Sequence, residues 1–362
     1  MGAAARCFLT LEESATMKIK LTILAVAVMM LFSSCFALPE KIPISQSVIE
    51  QSENTAQFHF IDVGQGDCTL IQSGDTNILI DSGTGESGGI ICEYLENSGI
   101  KYLDCFIGTH PHEDHLGGGS AVLSSVEVGK VYMNGETSNS YFFEKLVDSM
   151  IDMQITPKIP EIDTVYEVGP FKLEFLSPSK DYGNANDNSL VVTVAYKDIK
   201  AIFMGDAERV VEADLIKNGA DIRSDIIKVG HHGSRYASSA EFLNAVYPSL
   251  AIIQCGKDNS YGHPHNEALE RLWECGAKIL RNDDAGTIVI RTDGTNLYDA
   301  SGEVYEKEAS ASIEQIYIGN KKSKVFHCEE CKNLPGENNR VQFKLREDAL
   351  NAGYSACGNC KP

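Results

Sequence analysis

The chain has 362 residues, 31 Lys and Arg against 51 Asp and Glu, a net charge of −20, 43% hydrophobic residues and 11 cysteines. That length suits one large domain plus a small one, and a charged fraction of 23% excludes the composition of a disordered chain. The acidity excludes a protein that grips a phosphate backbone over its whole surface, which needs clustered Lys and Arg. It leaves room for a local basic groove. The cysteines are too few for a disulfide scaffold, yet four of them fall in the last 35 residues and need their own explanation.

Lys18 and Lys20 precede an apolar run from Leu21 to Phe32 that ends in Ser33, Ser34 and Cys35. A positive start, a short hydrophobic stretch and small residues are the layout of a secretory signal, and the run is short for a membrane span. LFSSC resembles a bacterial lipoprotein box with Cys35 as the lipidated residue, although Phe32 stands where an aliphatic residue is usual. Cleavage after Ala37 is the alternative. Residues 1–37 are thus expected to be the signal, and the polar, proline-containing segment 38–56 a tether.

From Gln57 the pattern becomes short β-rich runs punctuated by Gly and Asp: QFHFIDV, CTLIQS and NILIDSG. A helix is expected at Ile90–Ser98, then a strand in LDCFIGTH. Further strands are expected in KVYMN, FKLEFLSP, SLVVTVAY, KAIFMGD, DIIKVG, LAIIQC and TIVIRT. Helices are expected at Ser140–Met150, Val210–Asn218, Ser239–Val246 and Asn266–Cys275. Strands interspersed with helices in both halves predict an α+β layered sandwich, with two sheets inside and helices outside. The hydrolase body is placed at 57–298, an acidic linker at 299–315 and a separate module at 316–362. Charge separates that tail: residues 313–362 carry eight Lys and Arg against six Asp and Glu.

Seven of the nine histidines fall in three groups: His110, His112 and His115; His231 and His232; His263 and His265. In THPHEDHLGGG a strand delivers His110 and His112 two residues apart, and Pro111 delays helix formation until after the pair. Asp114 and His115 then enter a turn where adjacent side chains diverge. Two imidazoles can therefore serve one cation while the carboxylate and third imidazole serve its neighbour. So many imidazoles and carboxylates would be costly to group without a metal.

THPHEDH resembles the His-x-His-x-Asp-His signature of the metallo-β-lactamase superfamily, which implies an αββα sandwich and a two-metal site. On that resemblance His110 and His112 hold the first ion, Asp114 and His115 the second, and Asp206 of MGDA bridges them. His231 of VGHHGS is the last ligand of the second ion, and Asp81 buttresses the ligand loop. One departure is visible: no His lies between His115 and His231 to complete the first ion's shell. NDNSLVV offers Asp187 and Asn188 instead, or a water, widening the metal choice from Zn²⁺ toward Mn²⁺. FIDVGQGDC, NDNSLVV, VGHHGS and YGHPH together look like the hydrolase domain of ComEC-type competence proteins, a DNA-uptake channel family.

Two divalent ions suit phosphodiester hydrolysis. Asp114 is expected to orient or deprotonate the water, and His265 to stabilise charge or protonate the leaving group. His232 and His263 are further catalytic candidates, with support of the ligands as their plainer role. Asp62 and Asp67 are expected at the rim, where ordinary turn chemistry is the plainer reading. Asn188 and Ser234 are candidate supporting or substrate residues. Hydrolysis of lactones or thioesters leaves the same site unchanged. A surface DNA-binding protein is the rival from another class.

In the tail, Cys328-x2-Cys331 and Cys357-x2-Cys360 suit a tetrahedral structural Zn²⁺, a staple that so small a core needs. The stretch also resembles the metal-binding domain of Ada-type DNA-repair proteins, in NRVQF, EDALNAGY and CGNC. That resemblance leaves the remaining ligand open between His327 and Cys328. Two disulfides are the alternative in an exported chain. The expected partners are a phosphodiester substrate such as DNA, and a membrane through a lipid anchor at Cys35.

Overall fold

The computed structural model describes residues 55–305, 317–327, 331–343, 349 and 352–357. The signal, the tether up to Asn54, Cys328 and Cys360 lie outside the described residues. Among the described residues no helix is long and apolar enough to cross a membrane.

Two sheets form the body. The first contains β1 (Ala56–Phe60), β2 (Thr69–Ser73), β3 (Thr76–Ile80), β5 (Cys105–Gly108), β7 (Val131–Met133), β15 (Ile288–Thr292), β16 (Leu297–Tyr298) and β17 (Val304–Tyr305). Their order is β17-β16-β15-β1-β2-β3-β5-β7, while β4 (Tyr102–Leu103) and β6 (Glu127–Val128) pair separately. The second contains β8 (Val165–Val168), β9 (Phe171–Ser177), β10 (Val191–Tyr196), β11 (Ile199–Phe203), β12 (Ile226–Lys228), β13 (Leu250–Ile253) and β14 (Lys278–Arg281). Its order is β14-β13-β12-β11-β10-β9-β8.

Alternation along each strand sends one set of side chains between the sheets and the other under helices. Phe58, Phe60, Ile78 and Ile80 face Leu173, Phe175, Val192, Val194 and Phe203 in the central core. Leu70, Leu79 and Phe106 instead pack with helices Gly88–Asn97, Gly119–Ser125 and Tyr141–Asp152. Val191, Ile202 and Ile227 pack with helices Arg209–Asn218, Ala240–Val246 and Asn266–Glu274. Both faces of each sheet are therefore buried, which explains runs as continuously apolar as LAIIQC. Ser140 and Ser239 cap two of these helices, accepting from the backbone N–H of Phe143 and Phe242.

The αββα fold expected from the sequence is thus present. Its first sheet runs further than expected: β16 and β17 continue it to Tyr305, so residues 299–305 form its edge hairpin rather than a connector. The Asp299 carboxylate shapes that turn by accepting from the backbone N–H groups of Ser301 and Glu303. The tail carries its own four-stranded sheet, in order β20 (Arg340–Phe343), β18 (Tyr317–Asn320), β19 (Val325–His327) and β21 (Ser355–Ala356). Phe326, Ala349 and Tyr354 are its small core.

Parallel pairing places the functional loops. The pairs β3·β5, β5·β7, β11·β12 and β12·β13 are parallel, so the C-terminal ends of β3, β5, β11, β12 and β13 share one rim of the sandwich. Ligand sites in such sheets form beyond the carboxyl ends of strands.

Candidate metal centre

The rim collects seven acidic or imidazole groups from both sheets. His110 follows β5, and the short helix Glu113–Leu116 then carries Asp114 and His115. Asp206 follows β11, and His231 and His232 follow β12. The carboxylate of Asp206 stands between two sets of rings. Its Oδ1 is 3.1 Å from His115 Nε2 and 3.6 Å from His232 Nε2. Its Oδ2 is 3.8 Å from His110 Nε2 and 3.6 Å from His231 Nε2. His112 closes on His110, with Nδ1 3.0 Å from His110 Nε2. Asp114 Oδ2 lies 3.2 Å from His232 Nε2.

Two groups are tight enough to hold an ion. His110, His112 and Asp206 form one, and Asp67, His115, Asp206 and His232 the other, each offering ligand atoms within 4.8 Å of one another. The donor chemistry fits divalent metals. His115 Nε2 and Asp206 Oδ1 are buried and make no aligned hydrogen bond, although they face each other. Buried polar atoms are seldom left so, and a cation before both satisfies them.

The backs of the rings are fixed separately. Asp81 accepts from the backbone N–H and the hydroxyl of Thr109, each at 2.8 Å, and lies 2.8 Å from His115 Nδ1. Ser189 Oγ is 3.2 Å from His110 Nδ1 and accepts from the Asp206 N–H. Gln254 O is 2.9 Å from His232 Nδ1, and Glu208 Oε1 is 2.8 Å from His231 Nδ1. At His110, His115 and His232 such partners set the tautomer that leaves Nε2 facing a metal. Asp67 also sits behind the rings, 3.1 Å from His232 Nδ1 and 3.9 Å from His115 Nδ1. We therefore assign it to support rather than ligation.

Electrostatics follow from this packing. Burial alone would depress His115 and His232, but Asp206 with Asp81 holds His115 well above its ordinary range. Asp206, Asp67 and Asp114 likewise raise His232 to about 10. Asp206 is held far below the usual carboxylate range by the surrounding imidazoles, against its burial. Burial and the neighbouring imidazoles push His110 far down. His263, half-buried beside His231, His232 and His265, is lowered to about 4 by burial and by those rings.

Backbone conformation supports this crowding. Asp81, His231 and His232 all have positive φ, a cost that surrounding structure must over-determine. A Cβ on Gly66 would stand 2.4 Å from Asp114 O, so only glycine lets the β1–β2 loop pass beneath the ligand loop.

Several expected residues have different places. His232, not His231, is the buried member of the second group, while His231 is 24% exposed and paired with Glu208. Asn188 is a structural lock: it accepts from Tyr182 N–H and donates to Glu136 and Asp181. Asp187 caps Glu208 N–H and accepts from Asn184. Neither belongs to the two groups whose ligand atoms lie within 4.8 Å of one another. Asp62 accepts from Gly64 N–H in a turn, and Ser234 from Tyr236 N–H in the turn after His232. Asp67 is buried rather than on the rim. His265 stands a ring further out, 5.0 Å between ring centres from His263, with Nδ1 accepting from Arg235 N–H. Lys228, Glu208, Gln254 and Ser189 were not singled out by sequence. Lys228 carried a signal, as the one cation inside the apolar run DIIKVG.

This fold with an imidazole–carboxylate cluster at the strand ends defines a metal-dependent hydrolase. The description of the metallo-beta-lactamase superfamily matches residues 61–257, and the chain belongs to that superfamily. It is 29% identical over 252 residues to ComE operon protein 3 of Bacillus subtilis (strain 168), covering 64% of this chain and 32% of that protein. It is 30% identical over 241 residues to competence protein ComA of Neisseria gonorrhoeae, covering 65% of this chain and 32% of that one. The chain thus spans about a third of the length of these relatives. The solved metallo-beta-lactamase fold protein YhfI from Bacillus subtilis superposes with a TM-score of 0.45 at 11% identity, over 66% of this chain and 99% of that one.

Proposed function

We propose that this hydrolase is an exported two-metal phosphodiesterase acting on DNA or nucleotides. One observation carries the reading: the Asp206 carboxylate turns one oxygen to His115 and His232 and the other to His110 and His231. A carboxylate so placed suits two adjacent ions, and the mixed imidazole and carboxylate donors suit Zn²⁺ or Mn²⁺. Bound there, two divalent ions supply an activated water and neutralise charge on a transferring phosphoryl group. Likeness to competence proteins supports a nucleic-acid substrate.

The chain's own groups divide the remaining work. Asp114, on the open side of His232, orients the attacking water through its carboxylate. His231, held by Glu208 at 2.8 Å and raised in pKa by Glu208 and Asp206 against its burial, faces the site from its more exposed side and, as the imidazolium, donates from Nε2 to the leaving oxygen. His263 and His265 extend this imidazole row outward and contact the rest of the substrate.

Metal-loaded protein assayed with bis(p-nitrophenyl) phosphate, single-stranded DNA and cyclic dinucleotides should show its highest rates there. A far higher rate on nitrocefin, a lactone or a thioester would replace this reading. His231→Ala should lose rate yet keep both metal equivalents. Loss of one equivalent would make His231 a ligand instead.

The tail is proposed to hold a structural Zn²⁺. His327, Cys331 and Cys357 are buried and offer ligand atoms within 4.8 Å of one another, with His327 Nδ1 3.3 Å from Cys331 Sγ. Among the described residues the tail's buried core is Phe326, Ala349 and Tyr354, and a module this small gains from a metal staple. Metal analysis with thiol counting tests it: two disulfides and no tail zinc would refute it. Mass spectrometry of the mature N-terminus distinguishes lipidated Cys35 from cleavage after Ala37.

A further inference from the structure

A buried ion pair lies behind the metal centre with no part in the chemistry above. Lys228 Nζ is 2.6 Å from Asp67 Oδ2, with side chains 2% and 5% exposed, and it donates to Val229 O. Desolvation offsets much of such a pair's attraction, so stability alone is a weak reason for it. Its placement is more specific. Asp67 N–H donates to Asp114 O at 3.0 Å, and Gly83 N–H donates to Asp67 O at 2.8 Å, which ties Asp67 to the loops of the first sheet. Lys228 ends β12 in the second sheet, on the chain that continues into His231 and His232. The pair therefore spans the two sheets directly behind the rings of His115 and His232.

We propose that Asp67 and Lys228 are a positioning pair that sets affinity for the second ion. They would do so by fixing Asp114 and His115 of one sheet against Asp206 and His232 of the other. The proposal rests on the two-metal reading. Two effects act in opposite directions here: an ammonium near a cation repels it, whereas a latch that pre-forms the ligand cage favours it. Removing Lys228 alone separates them by sign. Removing both charges leaves net charge unchanged and isolates geometry.

The experiment titrates metal-free full-length protein with Mn²⁺ by calorimetry, for wild type, Lys228→Met and the double variant Asp67→Asn/Lys228→Met. Chelator-treated melts monitor folding. Wild type should bind two equivalents. Both variants should bind the first ion normally and the second ~10–100-fold more weakly, as for other residues that orient metal ligands. The double variant should melt near wild type without metal, and its kcat on bis(p-nitrophenyl) phosphate should recover at saturating Mn²⁺. Tighter second binding by Lys228→Met overturns the proposal, as does unchanged second binding by the folded double variant. A double variant without a cooperative melt makes the pair merely structural and also overturns it. Fewer than two ions in wild type would instead overturn the two-metal reading itself.

Discussion

Replacing Asp81 by Asn should separate metal binding from folding. Asn keeps an oxygen for the Thr109 N–H, and the Thr109 hydroxyl can turn to accept from the new amide. The contact with His115 Nδ1 survives only if the ring gives up its Nδ1 proton, because an amide N–H now faces a ring N–H where a carboxylate stood at 2.8 Å. One charged hydrogen bond is lost, a cost of about 1.5–3 kcal/mol. His115 escapes the conflict by moving its proton to Nε2, the atom that faces Asp206. That tautomer has no lone pair for a metal, so affinity for the second ion should fall ~10–100-fold. Asp81 also has a φ of 56°, which Asn tolerates and Ala does not. Asp81→Ala should therefore be the less stable variant by about a further 1–2 kcal/mol. Chelator competition followed by metal analysis, with metal-free thermal melts, measures both quantities. An Asp81→Asn protein that holds two equivalents as tightly as wild type would refute the reasoning.

Away from the site, His59 is buried and its pKa is lowered from 6.5 to about 4 by burial and by Arg291. The unfolded chain binds this proton first, so stability present above pH 6.5 is lost as pH falls toward 4, by about 3 kcal/mol. His59→Gln should flatten that part of the metal-free stability curve measured by denaturant melts. An unchanged slope would show that His59 is not responsible. Gly66→Ala places a Cβ 2.4 Å from Asp114 O, a backbone atom with little freedom to move. It should cost about 1–3 kcal/mol and depress kcat more than KM. A wild-type rate would mean that the loop yields. Chelation should lower the melting temperature, and restoring metal should raise it with concentration. A melt insensitive to metal would contradict a site that binds only the folded chain.

Strands were legible where both faces are buried, because runs such as VVTVAY have few other uses. β8 and β14 were missed because they are edge strands, with exposed Val165 and Lys278 breaking the apolar pattern. The ligand signature was legible because its spacing fixes its chemistry. Which of His231 and His232 turns inward was not, since both occupy left-handed backbone that spacing does not reveal. Asp187 and Asn188 are a related case: spacing does not reveal the hydrogen bonds by which they hold the loops near the site. Glu208 and Gln254 carried no signal, as their roles exist only after two distant loops meet.

The same meeting of loops has a kinetic side. His232 and Asp114 touch across a separation of 118 residues, and Gln254 donates to Ile61 O and Cys68 O across separations of 193 and 186. No half of the chain can assemble the cluster by itself, and contacts so distant in sequence form slowly. Metal capture should therefore appear as a late event in refolding. Its delay would time the docking of one sheet on the other.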